Sequence, residues 1–201
     1  MPRPLRERTR GRPRAFDEAK FLDGAIALFS GAGFSGVGIS DLTAATGLAV
    51  GSVYKAYQDK EGVFAKALER YILLREAHLA ALFAQAPNAR ARIEALLRLY
   101  IDLSQGKDGR LGCLVVAGIA DLDQVGRAAD MLCTQLLRRR KMLAELITDG
   151  QRDGSIAIGA DPRATAELLL AMLQGMRVVG KGGMLTECSE ALIAQALKLL
   201  D

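Results

Sequence analysis

Apolar residues recur at three- and four-residue spacing along nearly the whole chain, and nowhere do they alternate over a convincing strand. Ala and Leu dominate, and β-branched runs are rare. The pattern predicts an all-α fold of nine helices. Asp17 is a good N-cap for the first, which carries Phe21, Ala25, Leu28 and Phe29 on one face and stops at Gly31–Phe34. Short helices over Ile39–Thr46 and Val50–Tyr57 flank Gly47. Asp59 can cap a long fourth helix from Lys60 to about Gln85, with Val63, Phe64, Leu68, Tyr71, Ile72, Leu79 and Leu82 at helical spacing, closed by Pro87. A fifth spans Ala89–Gln105. The stretch GKDGRLG reads as loop, and the apolar run LGCLVVAGIA after it as a short, buried sixth helix. The seventh runs from Asp123 to about Gln151 and stops near Gly154. Asp161-Pro162, an N-cap followed by proline at the first helical position, opens an eighth that reaches about Val179 and breaks at GKGG. Thr186–Leu200 forms the last, and SIAIGA at 155–160 reads as loop.

Charge is distributed unevenly. Of the net +4, residues 1–14 supply +5, from Arg3, Arg6, Arg8, Arg10, Arg12 and Arg14 against Glu7, so the rest of the chain sums to about −1. The basicity belongs to an N-terminal arm, which suits a polyanion: nucleic acid or an anionic membrane surface. A solubilising tail is the other reading. Pro2, Pro4, Gly11 and Pro13 prevent an amphipathic helix beside the arm, which argues against the membrane. The start lacks the apolar segment of a secretory signal, and the longest apolar run is too short to span a bilayer. The 201 residues, half of them hydrophobic and a quarter charged, suffice for a soluble globular protein with a real core. Cys113, Cys133 and Cys188 are widely spaced and form no CxxC pair, which argues against a disulfide framework or zinc site and for a reducing cytoplasm.

A helix, a short glycine turn and a second short helix make a helix-turn-helix. Leu42, Ala45, Leu48 and Val53 supply its buried contacts, and Ala44, Ala45, Ala49, Gly51 and Ser52 let the helices cross closely. Placed behind an arginine arm, this unit points to DNA. Its sequence, ISDLTAATGLAVGSVYKAYQDKEGVF, resembles the DNA-binding signature of TetR/AcrR-type regulators. The matching pieces are Ile39-Ser40-Asp41-Leu42-Thr43, Thr46-Gly47, Tyr54-Lys55-Ala56-Tyr57 and Lys60-Glu61-Gly62-Val63. Three positions depart from that pattern: Ala49 and Gly38 stand where Ser or Thr caps a helix, and Tyr57 where Phe is commoner.

The resemblance implies a two-domain TetR-like fold: a basic arm over 1–14, a helix-turn-helix domain over 15–62, and an effector-binding and dimerisation domain over 63–201. It implies a homodimeric repressor on a near-palindromic operator, with Val50–Tyr57 entering the major groove. Tyr54, Lys55 and Lys60 are the expected phosphate contacts. Tyr57 is expected to place its ring in the core with its hydroxyl reaching solvent or phosphate. Ser40, Gly51 and Ser52 are also expected at the DNA, with Gly51 and Ser52 close to base edges. Residues 15–62 carry a net −3, so the arm must offset a head that repels DNA. Its RGRPR run, Arg10, Arg12 and Arg14, is similar to an AT-hook core, suited to a narrow minor groove.

Cys113 follows a glycine near the start of the sixth helix, where a thiol gains reactivity. It can equally be a small buried hydrophobe. The segment resembles a TetR-like subgroup whose Gly-Cys-Leu cysteine senses electrophiles or oxidants, and Lys181 falls where that subgroup places a lysine near the thiol. The alternative is a pocket for a small hydrophobic effector, with Cys113 as wall. In the family the last two helices form the dimer interface; small Ala166, Ala171 and Gly175 would permit close approach there. A cysteine-dependent enzyme or redox protein using Cys113 is the competing class. It lacks a base, because the single histidine, His78, lies on the long fourth helix. No P-loop, dinucleotide fingerprint or zinc spacing is present, so no cofactor or metal is expected.

Overall fold

The computed structural model describes residues 17–185 and 189–201. The arm, with Arg10, Arg12 and Arg14, and Cys188 lie outside the described residues. The helices are α1 (Glu18–Ala32), α2 (Ile39–Thr46), α3 (Val50–Tyr57), α4 (Lys60–Phe83), α5 (Ala89–Asp102), α6 (Gly106–Leu111), α7 (Leu114–Ala120), α8 (Ala128–Asp153), α9 (Pro162–Lys181) and α10 (Ser189–Leu197), followed by a 3-10 turn at Lys198–Leu200. Every regular element among the described residues is helical, as expected. The tenth helix is α6, in the segment expected to be loop. Three glycines there argue locally against a helix, but Gly109 lets the backbone lie against Ser104 and Gly180, where a side chain would overlap the Ser104 carbonyl.

The capping expectations hold. Asp17 accepts from Lys20 N at 3.1 Å, Asp59 from Gly62 N at 2.6 Å, and Asp161 from Arg163 N and Ala164 N at 2.8 and 3.1 Å. Gly47 ends α2 at φ 72°, a left-handed turn that favours glycine. Ala49 gives α3 no side-chain cap. Gly38 has no side chain to offer, but Asp41 reaches back to its N–H at 2.7 Å. The helix expected from Asp123 begins at Ala128, because residues 121–127 form a bent connection that buries Val125 and turns at Gly126.

The interior forms two apolar clusters. The first joins α1–α3 to the start of α4, to α7 and to the beginning of α8; Phe29, Phe34 and Phe64 meet at its centre with ring centroids 5.1–6.0 Å apart. The second joins the far end of α4 to α5, α8, α9 and α10. Helix α4 belongs to both, through Val63, Phe64 and Leu68 at one end and Leu79 at the other. Cys113, Leu114 and Val115, from the second part of the chain, complete the first cluster. No helix among the described residues is long and apolar enough to cross a membrane.

Candidate functional site

Helix α3 is amphipathic in the way a groove-reading helix requires. Val53 and Tyr57, one turn apart, face the core and are 1% and 5% exposed. Gly51, Ser52, Tyr54 and Lys55 face outward, as does Ser40 at the start of α2. The uncapped N-terminus of α3 adds backbone N–H groups beside the exposed Ala49 and Val50, a surface that suits phosphate.

Two of the residues singled out for the DNA surface have partners inside the head. The Tyr57 ring stacks on Phe21 at 5.1 Å, and its hydroxyl donates to Glu18 Oε1 at 3.3 Å. Burial, then the Glu18 charge, pushes its phenol up and keeps it protonated. Lys60 lies 4.1 Å from the Phe34 ring centroid and donates to the Phe34 carbonyl at 3.1 Å. Both residues hold the head together instead of facing outward: Tyr57 shares the inward face of Val53, and Lys60 points back to the α1–α2 corner.

Cys113 is the N-cap residue of α7 and is buried. It lines a cavity of about 40 Å³ together with Tyr71, Tyr100, Arg139, Gln174 and Arg177. The Tyr71 hydroxyl donates to Sγ at 3.5 Å. Burial holds that phenol above its ordinary range, so the hydroxyl keeps the proton it donates. Lys181 also lies close by. Its stem covers Gly112, next to the cysteine, but its ammonium donates to the Ser30 carbonyl on α1 at 3.1 Å. The hydrogen-bond partner of the thiol is Tyr71. Cys133 and His78 are exposed.

The comparisons with known proteins bear on this geometry directly. Residues 21–67 match the description "Bacterial regulatory proteins, tetR family", and residues 89–181 match "Tetracyclin repressor-like, C-terminal domain". The chain belongs to the TetR family. It is 28% identical over 179 residues to the HTH-type transcriptional repressor ComR of Escherichia coli (strain K12), covering 88% of this chain and 85% of that protein. It is also 28% identical to the repressor BdcR of the same strain, over 71% of this chain and 77% of that one. Among solved structures it is similar to a cysteine mutant of the TetR family regulator CifR complexed with 26-bp operator DNA. That match has a TM-score of 0.79 at 28% identity and covers 94% of this chain and 98% of that one. The reduced form of E. coli NemR shares the fold, with a TM-score of 0.76 at 22% identity over 91% and 97% of the two chains.

TetR-family proteins are DNA-binding transcriptional regulators, not enzymes, and the helix-turn-helix of this member is its DNA-binding unit. Other residues of this TetR-family chain were not singled out from sequence. Asp121, at the end of α7, accepts from Phe34 N at 2.8 Å, Ser35 N at 3.2 Å and Ser35 Oγ at 3.1 Å. Arg127 Nη2 donates to both carboxylate oxygens of Asp59, at 2.9 and 3.0 Å. Helix α7 is thus a strut from the cysteine at its head to the DNA-binding unit at its tail. The only sequence-level sign of such a strut is an acid at the end of an apolar run. For the buried Arg177 it is the single charge in the stretch LLLAMLQGMRVVG of α9.

Partial burial would raise the Asp121 carboxyl, but the bonds from Ser35 and Phe34 outweigh it and hold the group below its ordinary value. Its stabilising contribution is therefore present above the unfolded value and is lost as pH falls through the lower, folded one. We expect Asp121→Ala to cost about 1–2 kcal/mol at neutral pH, the usual loss when charged hydrogen bonds disappear. In urea titrations the gap from wild type should be full above about pH 5 and close on acidification. A gap independent of pH would assign the loss to packing instead.

Proposed function

We propose that this TetR-family protein is a homodimeric, cytoplasmic repressor of a near-palindromic operator, released by a small-molecule or thiol-reactive signal at the Cys113 cavity. The observation that carries the reading is the continuity of α7, which begins at Cys113 and ends at the Asp121 contact with the DNA-binding unit. Ser40, Gly51, Ser52, Tyr54 and Lys55 form the proposed DNA surface, with Arg10, Arg12 and Arg14 reaching the minor groove. Cys113 is the sensor, with the Lys181 stem beside its neighbour Gly112 and the Lys181 ammonium bonded to the Ser30 carbonyl on α1. The cavity volume of about 40 Å³ favours a small reactive compound over a bulky hydrophobic one.

The proposed partner surface is an outward stripe on α9. Leu168 and Val178 are 58% and 56% exposed, and Ala171 faces the same way, whereas Ala166 belongs to the internal core. An apolar stripe of this kind at helical spacing suits a second copy of the same helices. A signal acts only through its differential affinity for the bound and released states. Modifying Cys113 displaces α7 and with it the start of α4, which alters the spacing of the two reading heads, and half-sites tolerate little mis-spacing.

The test is fluorescence anisotropy with the DNA upstream of the protein's own gene, before and after N-ethylmaleimide. Wild type should lose at least about tenfold in affinity, roughly 1.4 kcal/mol, while Cys113→Ser keeps its grip. If both retain binding, the signal is a non-covalent ligand. If both lose it, another cysteine carries the effect.

A further inference from the structure

Among the described residues, the cavity beside Cys113 is walled by Arg75, Arg139 and Arg177 and by no carboxylate. Arg139 is neutralised by Glu76 at 2.6 Å. Arg177 is 2% exposed and among the described residues has only uncharged partners: Nη1 donates to Ser104 Oγ at 3.4 Å and Nη2 to the Gly112 carbonyl at 2.6 Å. Its Nε–H, also buried, has no hydrogen-bond partner among the described residues. Arg75 has the Tyr71 ring at 5.2 Å and no acidic partner among the described residues. A guanidinium keeps its charge at any working pH, and burying one without an anion is costly. Tying α9 to Gly112 accounts for one donor of Arg177. It accounts neither for the unused Nε–H nor for a second unneutralised arginine on the same wall.

We propose that this cavity binds short monocarboxylates, with the carboxylate held by Arg177 and Arg75 and the carbon chain against Cys113. The inference rests on the effector site proposed above and gives its ligands a chemical class. Forked guanidinium–carboxylate pairing is the strongest form of this contact. The volume of about 40 Å³ admits only a few heavy atoms, so the chain is short. A carboxylate with an electrophilic carbon is then delivered to the thiol. With iodoacetate, a sulfur electron pair forms a C–S bond as the C–I bond breaks. Iodide leaves with the bonding pair, and the thiol proton goes to solvent. With a short α,β-unsaturated acid, sulfur adds at the β-carbon and the α-carbon takes up the proton.

The reduced full-length protein is treated with iodoacetate or with iodoacetamide, and each cysteine is followed by peptide mass spectrometry. Exposed Cys133, which is not part of the cavity wall, supplies the intrinsic reactivity of an ordinary thiol. The iodoacetate-to-iodoacetamide rate ratio at Cys113 should exceed that at Cys133 by about tenfold, the size of one charge-assisted contact. Arg75→Gln and Arg177→Gln should each lower it. Arg75 is only half-buried, and the wild-type comparison needs no variant at all, so misfolding of Arg177→Gln leaves the test intact. Propionate should protect Cys113 from iodoacetamide, and propionamide should not. Equal ratios at the two cysteines, or no protection by propionate, overturns the proposal. Operator binding measured on the same samples separates the two readings. A charge preference without DNA release keeps the carboxylate site and removes the sensor. Release by iodoacetamide with equal ratios does the reverse.

Discussion

Gly62→Ala should destabilise the protein by about 2–4 kcal/mol, a change in the range reserved for core overpacking and strain. Helix propensity alone predicts the opposite sign, since alanine is better than glycine inside a helix by about 1 kcal/mol. The clash outweighs it. Gly62 is buried in the first turn of α4, and a methyl group there would overlap the Tyr57 carbonyl oxygen and lie 3.0 Å from its carbon. The obstacle is backbone, so no rotamer change relieves it. The α3–α4 corner is also held from outside, by Asp59 capping Gly62 and by Arg127 on Asp59. Opening the corner tilts the recognition helix, so operator affinity should fall together with stability. Urea unfolding gives the first quantity and anisotropy the second. A midpoint at or above the wild-type value would mean that the corner yields freely.

Deleting residues 1–14 should weaken operator binding by two or more orders of magnitude at physiological salt, with stability left almost unchanged. The remaining head, residues 15–62, carries a net −3, and α3 itself presents Lys55 as its one cation. Lys60 is engaged with Phe34, so the described head has even less positive charge to offer DNA than its composition implies. If the arm neutralises about four to six phosphates, the slope of log affinity against log salt should flatten by about that number. An unchanged slope would remove the arm from the interface.

How much was legible is clearest residue by residue. Asp17, Asp59 and Asp161 cap the helices they were expected to cap, because an N-cap is satisfied within two or three residues of itself. Periodicity placed the long α4 and its buried face for the same reason. The helix-turn-helix was legible because its spacing is local. What Tyr57 and Lys60 touch inside the head was not legible. Their partners, Glu18 and Phe34, belong to α1 and the corner after it, and only the folded head brings them close. Helix α6 was hidden for a similar reason. Its glycines weaken a helix locally, and their value appears only against Ser104 and Gly180.

The amino-acid sequence alone determined that this protein is helical, that it carries a helix-turn-helix behind a basic arm, and that Cys113 stands at the head of a short apolar helix. These properties depend on spacing, capping and charge within one or two turns. Only the tertiary structure decided what surrounds the thiol. It put Tyr71 of α4 on the sulfur, placed Arg177 of α9 on the same cavity wall, sent Lys181 to α1 and anchored the far end of α7 on Phe34 and Ser35 through Asp121. Each of these partners lies on an element distant in the chain. Burial decides which of them meet: a guanidinium or a phenol taken out of water must find its partner wherever the packed helices leave one.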